Sequence, residues 1–250
     1  MVKLSTIKRP GQTKLFPIFN SVDGNVQFME RPNKNSPRHF EALGKVLAHN
    51  YGNKFVDVNA IGSISFPSSI IGEIAEVNEI YTVPCTDNRR FFDLKTTDVA
   101  YQLPVRVMPW VQFVEGEAVV GVVDFDNPNR FYSLETGEVA YSLTEKVWPW
   151  IQKVGGTHCA ISKDGHKLVD VVNNEVVKTF DQEIHPIVKR VGNTGIGLVK
   201  EDRKTLINLV TGETALTFPG RIFGTMDVIG DKLYALDQDS LTVYVADFKE

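Results

Sequence analysis

The sequence is poor in the features of a catalytic or covalently braced protein. Its 250 residues hold two cysteines, Cys85 and Cys159, with no C-x-x-C spacing. Two are too few for a disulfide framework, so both are expected to be buried, reduced thiols. No apolar run approaches the ~20 residues that cross a bilayer. Residues 1–10 carry no apolar stretch of the secretory kind. A soluble, reducing location is expected, the cytoplasm or the interior of an assembled particle, with no membrane contact. Excess positive charge is also missing. With 27 Lys and Arg against 31 Asp and Glu the net charge is −4, which argues against the basic footprint of a nucleic-acid binder. The five histidines share no metal-ligand spacing, and no G-x-S-x-G, H-E-x-x-H or phosphate-cradling glycine loop occurs. Residues 124–129 superficially suggest a calcium loop, but Pro128 and Asn129 stand where an oxygen ligand and a glycine are needed. Asp237-Gln-Asp239-Ser240 reads as a turn in the same way. No catalytic residue, metal site or cofactor is expected.

What the chain does have is a repeat. An apolar pair leading into proline recurs as Leu15-Phe16-Pro17, Ser65-Phe66-Pro67, Val107-Met108-Pro109, Val147-Trp148-Pro149 and Ile184-His185-Pro186, with Ile222-Phe223-Gly224 as a sixth. The spacings are 50, 42, 40, 37 and 38 residues. Each unit continues with a polar turn and a second strand that is apolar on both faces, typified by residues 118–123, as a sandwiched strand must be. A third strand, a tight turn and a fourth strand follow. Residues 131–143 match residues 206–218, both through Thr-Gly-Glu, where glycine can supply a positive φ. A four-stranded unit of about 40 residues cannot bury both faces alone, so neighbours must stack. A radial ring of such units leaves no exposed end.

The expected fold is all-β, a single β-propeller of about six four-stranded blades. The blades are placed at residues 12–60, 61–104, 105–144, 145–182, 183–220, and 221–250 plus 1–8. The last unit shows three strands, so residues 2–7 are expected to pair with residues 242–248 as its fourth and to close the ring. The pattern resembles the β-propeller repeat class that includes WD40 and kelch proteins. It lacks the Trp-Asp dipeptide of the first and the double glycine of the second.

Met108, Trp110, Trp148 and Trp150 are candidates for a binding wall, or for packing between blades on inner strands expected to be the most buried. In the expected topology the second-to-third turns and the blade links emerge on one face. That face gathers Arg31, Lys34, Arg38, Arg89, Arg90 and Arg130, together with Lys54 on a long link at residues 50–64. Acids including Asp87, Asp164 and Asp202 are mixed among them. The opposite face carries Glu115, Glu117, Glu138 and other acids. The insertion at residues 31–38 and the long link point to the mixed face. The expected function is a non-catalytic protein-interaction or structural module, a subunit of a larger assembly such as a virion or other multi-subunit particle. Its predicted partner-binding residues are Arg31, Lys34, Arg38, Lys54, Arg89, Arg90 and Arg130. The alternative is a propeller hydrolase or lyase, or a lectin-like binder, acting on a carbohydrate or lactone. The places where such propellers carry polar catalytic groups hold Phe16, Phe66, Met108, Trp148, His185 and Phe223 here, which weakens it.

Overall fold

The computed structural model describes residues 3–8, 15–19, 26–30, 38–43, 45–49, 52–57, 63–71, 73–122, 129–192, 194–238 and 242–248. Among them every regular element is a β-strand, as the Val-, Ile- and aromatic-rich runs between polar turns require. The chain divides into two compact units, residues 1–31 with 150–250, and residues 32–149.

Strand β1 (Lys3–Lys8) comes first, followed by β2 (Leu15–Phe19) and β3 (Val26–Glu30), which form a two-stranded hairpin. Five consecutive four-stranded antiparallel sheets come next, each in simple up-and-down order. They are β4 (Arg38–Ala42), β5 (Lys45–His49), β6 (Gly52–Asp57) and β7 (Ser63–Ile70); β8 (Ala75–Val77), β9 (Ile80–Pro84), β10 (Arg90–Asp93) and β11 (Val99–Gln102); β12 (Gln112–Val114), β13 (Glu117–Gly121), β14 (Arg130–Ser133) and β15 (Val139–Ser142); β16 (Val147–Val154), β17 (Thr157–Ser162), β18 (Lys167–Asp170) and β19 (Glu175–Thr179); and β20 (Lys189–Val191), β21 (Thr194–Leu198), β22 (Thr205–Asn208) and β23 (Thr214–Thr217). The last sheet joins the two ends of the chain. β24 (Ile222–Ile229), β25 (Lys232–Asp237) and β26 (Thr242–Asp247) take β1 as their fourth strand. Its register runs from Lys3↔Asp247 to Lys8↔Thr242, the pairing expected from the missing strand of the last unit.

The structure corrects the sequence alignment near the start. The expected first unit, residues 12–60, holds the separate hairpin β2–β3 and three strands of the next sheet, and the boundary at residue 60 falls inside that sheet. Ile70 pairs with Cys85 as Val107 pairs with Val122 and Ile184 with Val199, so Ile70, not Ser65, matches Val107. Phe66-Pro67 instead matches Leu103-Pro104. The Asn53 side chain donates to Phe66 O at 2.7 Å, as the Asn129 side chain donates to Leu143 O at 2.6 Å in the corresponding place. The stretch read as a long link contains β6, whose alternation shows why. Phe55 is fully buried while Lys54 and Val56 are exposed, a strand with one face in the core.

Burial is greatest in the second and third strands. Residues 118–121 of β13 and 195–198 of β21 are buried without a break, while the fourth strands β11, β15 and β23 are exposed at both ends. The inner strand β16 alternates, leaving Trp148 and Trp150 half-buried. The expectation that inner strands are the most buried is therefore corrected. Stacked sheets cover the middle of one another best, and the first strand lies at one margin.

The third-to-fourth hairpins share one geometry. Register shifts fall at Phe91/Phe92, Phe131/Tyr132, Leu168/Val169 and Leu206/Ile207, a bulge at the same place four times. Each turn has one residue of positive φ, namely Thr97 (66°), Gly137 (72°), Asn174 (56°) and Gly212 (83°). Thr97 is the β-branched exception, and such a residue costs ~1–2 kcal/mol in the left-handed region. Thr97→Gly is expected to raise stability by about 0.5–1 kcal/mol, part of the relief being offset by the freer unfolded chain. A thermal melt showing no gain would mean that the turn holds threonine without strain.

Candidate interaction surface

Up-and-down connectivity sends the second-to-third turn and the link to the next sheet to the same end of every sheet. Backbone bonds tie the two together there. Leu103 N–H donates to Arg89 O and Val107 N–H to Asn88 O, at 2.8 and 2.7 Å. The same pair of bonds recurs as Phe180→His166 with Ile184→Gly165, and as Phe218→Lys204 with Ile222→Arg203. The residue accepting from the link is Asn88, Gly165 or Arg203, and each has positive φ, which aims its carbonyl at the passing chain.

An aspartate stands before each of these residues. Asp87 Oδ1 accepts the amides of Arg89 and Arg90 at 2.9 and 3.1 Å. Asp202 Oδ1 accepts those of Lys204 and Thr205 at 2.8 and 3.1 Å, and its Oδ2 takes the Thr205 hydroxyl at 2.6 Å. Asp164 Oδ1 accepts the Ser162 hydroxyl and the His166 amide. Such aspartates close a turn on themselves. For Asp87 and Asp202 partial burial pushes the carboxyl pKa up, but the donated hydrogen bonds outweigh it and hold the pKa below the ordinary value. For Asp164 the Ser162 hydroxyl is the leading cause of the same downward shift. These three acids, sorted from the sequence as surface charge, are parts of the turn. Their signal was legible as an aspartate three residues ahead of β10, β18 and β22.

The sign of the pH effect follows. A carboxylate held below its unfolded pKa contributes its full stability above that value, ~3.9 for aspartate. The contribution is lost as pH falls through the lower folded value. Asp202→Ala is expected to cost about 1–2 kcal/mol at pH 7 through lost turn bonds. Asp202→Asn keeps the Oδ1 acceptor, loses less at pH 7, and flattens the acid limb of a stability–pH curve below about pH 4. Equal losses for the two variants would place the effect in the charge rather than the turn.

The unit of residues 32–149 brings most of the predicted partner-binding residues to one end of its sheets. Lys54, Arg90 and Arg130 occupy one position, the start of the third strand, opposite Ser65, Gln102 and Ser142. Arg38 starts β4 opposite His49, at the same end. Lys54 lies on a strand rather than on the link expected for it. Arg31 and Lys34 lie outside the described residues. Exposed Lys54, Arg89, Arg106, Arg130 and Lys146 share this end, while exposed Glu79, Asp98, Glu115, Glu135 and Glu138 share the opposite one, with Lys95 among them. Arg90 is not a free member of the set. Its Nε lies 2.5 Å from Asp87 Oδ2, its Nη2 reaches Ser68 Oγ at 3.4 Å, and its guanidinium sits 5.7 Å from the centre of the Phe92 ring.

The aromatic candidates divide. Met108, Trp148 and Trp150 are half-buried, whereas Trp110 is 39% exposed. Trp110 joins Glu73, Thr82, Pro84 and Pro109 around a cleft of about 100 Å³. His185 accepts the Ile187 N–H at Nδ1. Its burial, then the charges of Arg203 and Lys200, lower its pKa below the ordinary histidine value. Cys85 and Cys159 are buried free thiols, and burial followed by the Asp170 charge pushes Cys159 up to about 12. Among the described residues no three His, Cys, Asp or Glu side chains gather as a metal-binding group.

No protein-family model and no curated protein sequence matches the chain. Solved structures do. The β-propeller domain of Swd1 (Cps50) from Myceliophteria thermophila matches over 98% of this chain and 98% of its own, at a TM-score of 0.60 and 13% identity. The chain folds as a β-propeller. BamB from Moraxella catarrhalis matches the propeller over 99% of this chain and 80% of its own, at TM-score 0.61 and 12% identity. The computationally designed Ika8 protein matches over 94% and 78%, at 0.58 and 15%. At such identities the likeness carries the fold, and the four-stranded sheets are its blades.

Proposed function

We propose that this propeller is a non-catalytic protein-interaction module that docks through the second-to-third turn end of the blades in residues 32–149. One observation carries the proposal: successive blades present exposed cations at matching places there, while the opposite turns present acids. A fixed charge polarity on a rigid scaffold steers and orients a partner. Arginine is the residue type that interfaces favour for its planar, multi-donor head. The fitting partner is a protein with an acidic docking surface, as in a larger assembly such as a virion or other multi-subunit particle, in the cytoplasm or within that particle.

Capture from source cells followed by native mass measurement should show a stoichiometric complex. Reversing Arg89 and Arg130 to glutamate is expected to weaken it at least ~10-fold and to reduce its salt dependence. Stability should change little, because exposed charges contribute ~0–1 kcal/mol. Arg90 is left out of this pair because its reversal would break the Asp87 turn. Glu115→Lys with Glu138→Lys should leave the affinity unchanged. Loss of the partner by the glutamate variant alone would place the docking surface at the opposite end. A second reading has one feature in its favour, the exposed Trp110 on its cleft, which suits stacking on a sugar or lactone ring. Saturable binding of such a ligand, abolished by Trp110→Ala, would favour a lectin-like or hydrolytic role.

A further inference from the structure

The outer strands of four blades can be compared place by place. They read Val99-Ala100-Tyr101-Gln102, Val139-Ala140-Tyr141-Ser142, Val176-Val177-Lys178-Thr179 and Thr214-Ala215-Leu216-Thr217, the second place being the bulged residue. β19 departs from the others twice. Its bulged residue is valine where the rest have alanine, and Val177 is 52% exposed beside Val176 at 44%. Its third place, filled elsewhere by half-buried Tyr101, Tyr141 and Leu216, holds Lys178, whose Nζ donates to Thr211 O at 2.8 Å. The apolar side chain that the other blades turn partly inward is thus replaced by a valine turned to solvent. β19 is the outermost strand of its sheet, and among the described residues its far edge has no strand partner. An open groove of about 350 Å³ runs beside it, lined in part by Lys178, Phe180, Asp181, Thr211 and Glu213.

A bare apolar edge is a template for another strand. We propose that the occupant is a second copy of this chain, paired antiparallel β19 to β19. The sequence Glu175-Val176-Val177-Lys178 is self-complementary about a two-fold axis between the valines. Glu175 of each copy then faces Lys178 of the other, and Val176 faces Val177, twice each. Opposite charges and apolar pairs across strands favour this register, and a surface that matches itself closes as a dimer rather than growing as a fibre. Moving the axis by half a residue, onto Val177, sets Glu175 against Thr179 and Val176 against Lys178 and loses both matches. One short strand pair buries less than the ~1,000 Å² of a standard stable interface, so the dimer is weak and concentration-dependent.

Sedimentation of the full chain from roughly 5 to 500 μM tests it, with a thermal melt of each variant to show that it folds. The expected result is a reversible monomer–dimer equilibrium that Val177→Lys abolishes. Glu175→Lys and Lys178→Glu should each weaken dimerisation about 10-fold, and the double swap E175K/K178E should restore it. A protein that stays monomeric throughout, a dimer that survives V177K, or a double swap as weak as either single variant would overturn the proposal.

Discussion

Gly121→Ala is expected to lower the stability of this propeller by about 3 kcal/mol, at the upper end of the ordinary cost of overpacking. Gly121 ends β13, and a Cβ there would lie 2.4 Å from Pro149 Cβ and 3.1 Å from Pro149 Cα. The proline ring cannot swing aside as a lysine tip could, and Phe131 closes the other side, with its ring edge 3.3 Å from the same point. Pro149 is also held from the adjoining strand, because the Gln112 side chain donates to its carbonyl at 3.0 Å. The mutation therefore forces one inner strand away from its neighbour. Urea unfolding should show a lower midpoint at an unchanged slope. The double variant G121A/P149G removes the atom that clashes and should cost less than the two single effects added together, a coupling that reports contact. Additive losses would mean that the effect of Gly121 is not steric.

Removing residues 1–8 is expected to cost about 3–5 kcal/mol, or roughly 10 °C in melting temperature for a chain of this size. β1 pairs with β26 across six registered positions, and Leu4 packs on the cluster that contains Leu233, Ala235, Tyr244 and Ala246. Without β1 that cluster is uncovered and β26 becomes a bare edge beside buried Val243 and Val245. Aggregation should accompany the loss of stability. A synthetic peptide of residues 1–8 should raise the melting temperature of the truncated protein, since an added strand restores both bonds and cover. A truncated chain that does not aggregate and keeps an unchanged melt would show that β1 contributes nothing to its sheet.

Much of the fold was present in the sequence. Strand character, the four-strand unit, the Thr-Gly-Glu turns and the doubly apolar second strands are local patterns, and they specify local structure. The missing fourth strand of the last unit identified β1 as its partner. That inference needed no distances, because an unpaired apolar strand at one end of the chain and a spare strand at the other satisfy each other. The two cysteines were correctly read as buried, because an isolated cysteine in an apolar run behaves as a small hydrophobe.

What the tertiary structure decided was which of several equally plausible local matches is real. Phe66-Pro67 resembles Met108-Pro109 as a string, yet it pairs as Leu103-Pro104 does, because register is set by hydrogen bonds to a strand a dozen residues away. The same holds for β2 and β3, which among the described residues pair only with each other, a choice no local pattern reveals. Charge followed suit. Arg89 and Arg90 are neighbours of one type in the sequence, but Asp87, Ser68 and Phe92 converge on Arg90 and leave Arg89 exposed. The sequence determined which residues seek burial, pairing or water. Their availability for function depended on groups brought to them from elsewhere in the chain, and that is a property of the folded molecule alone.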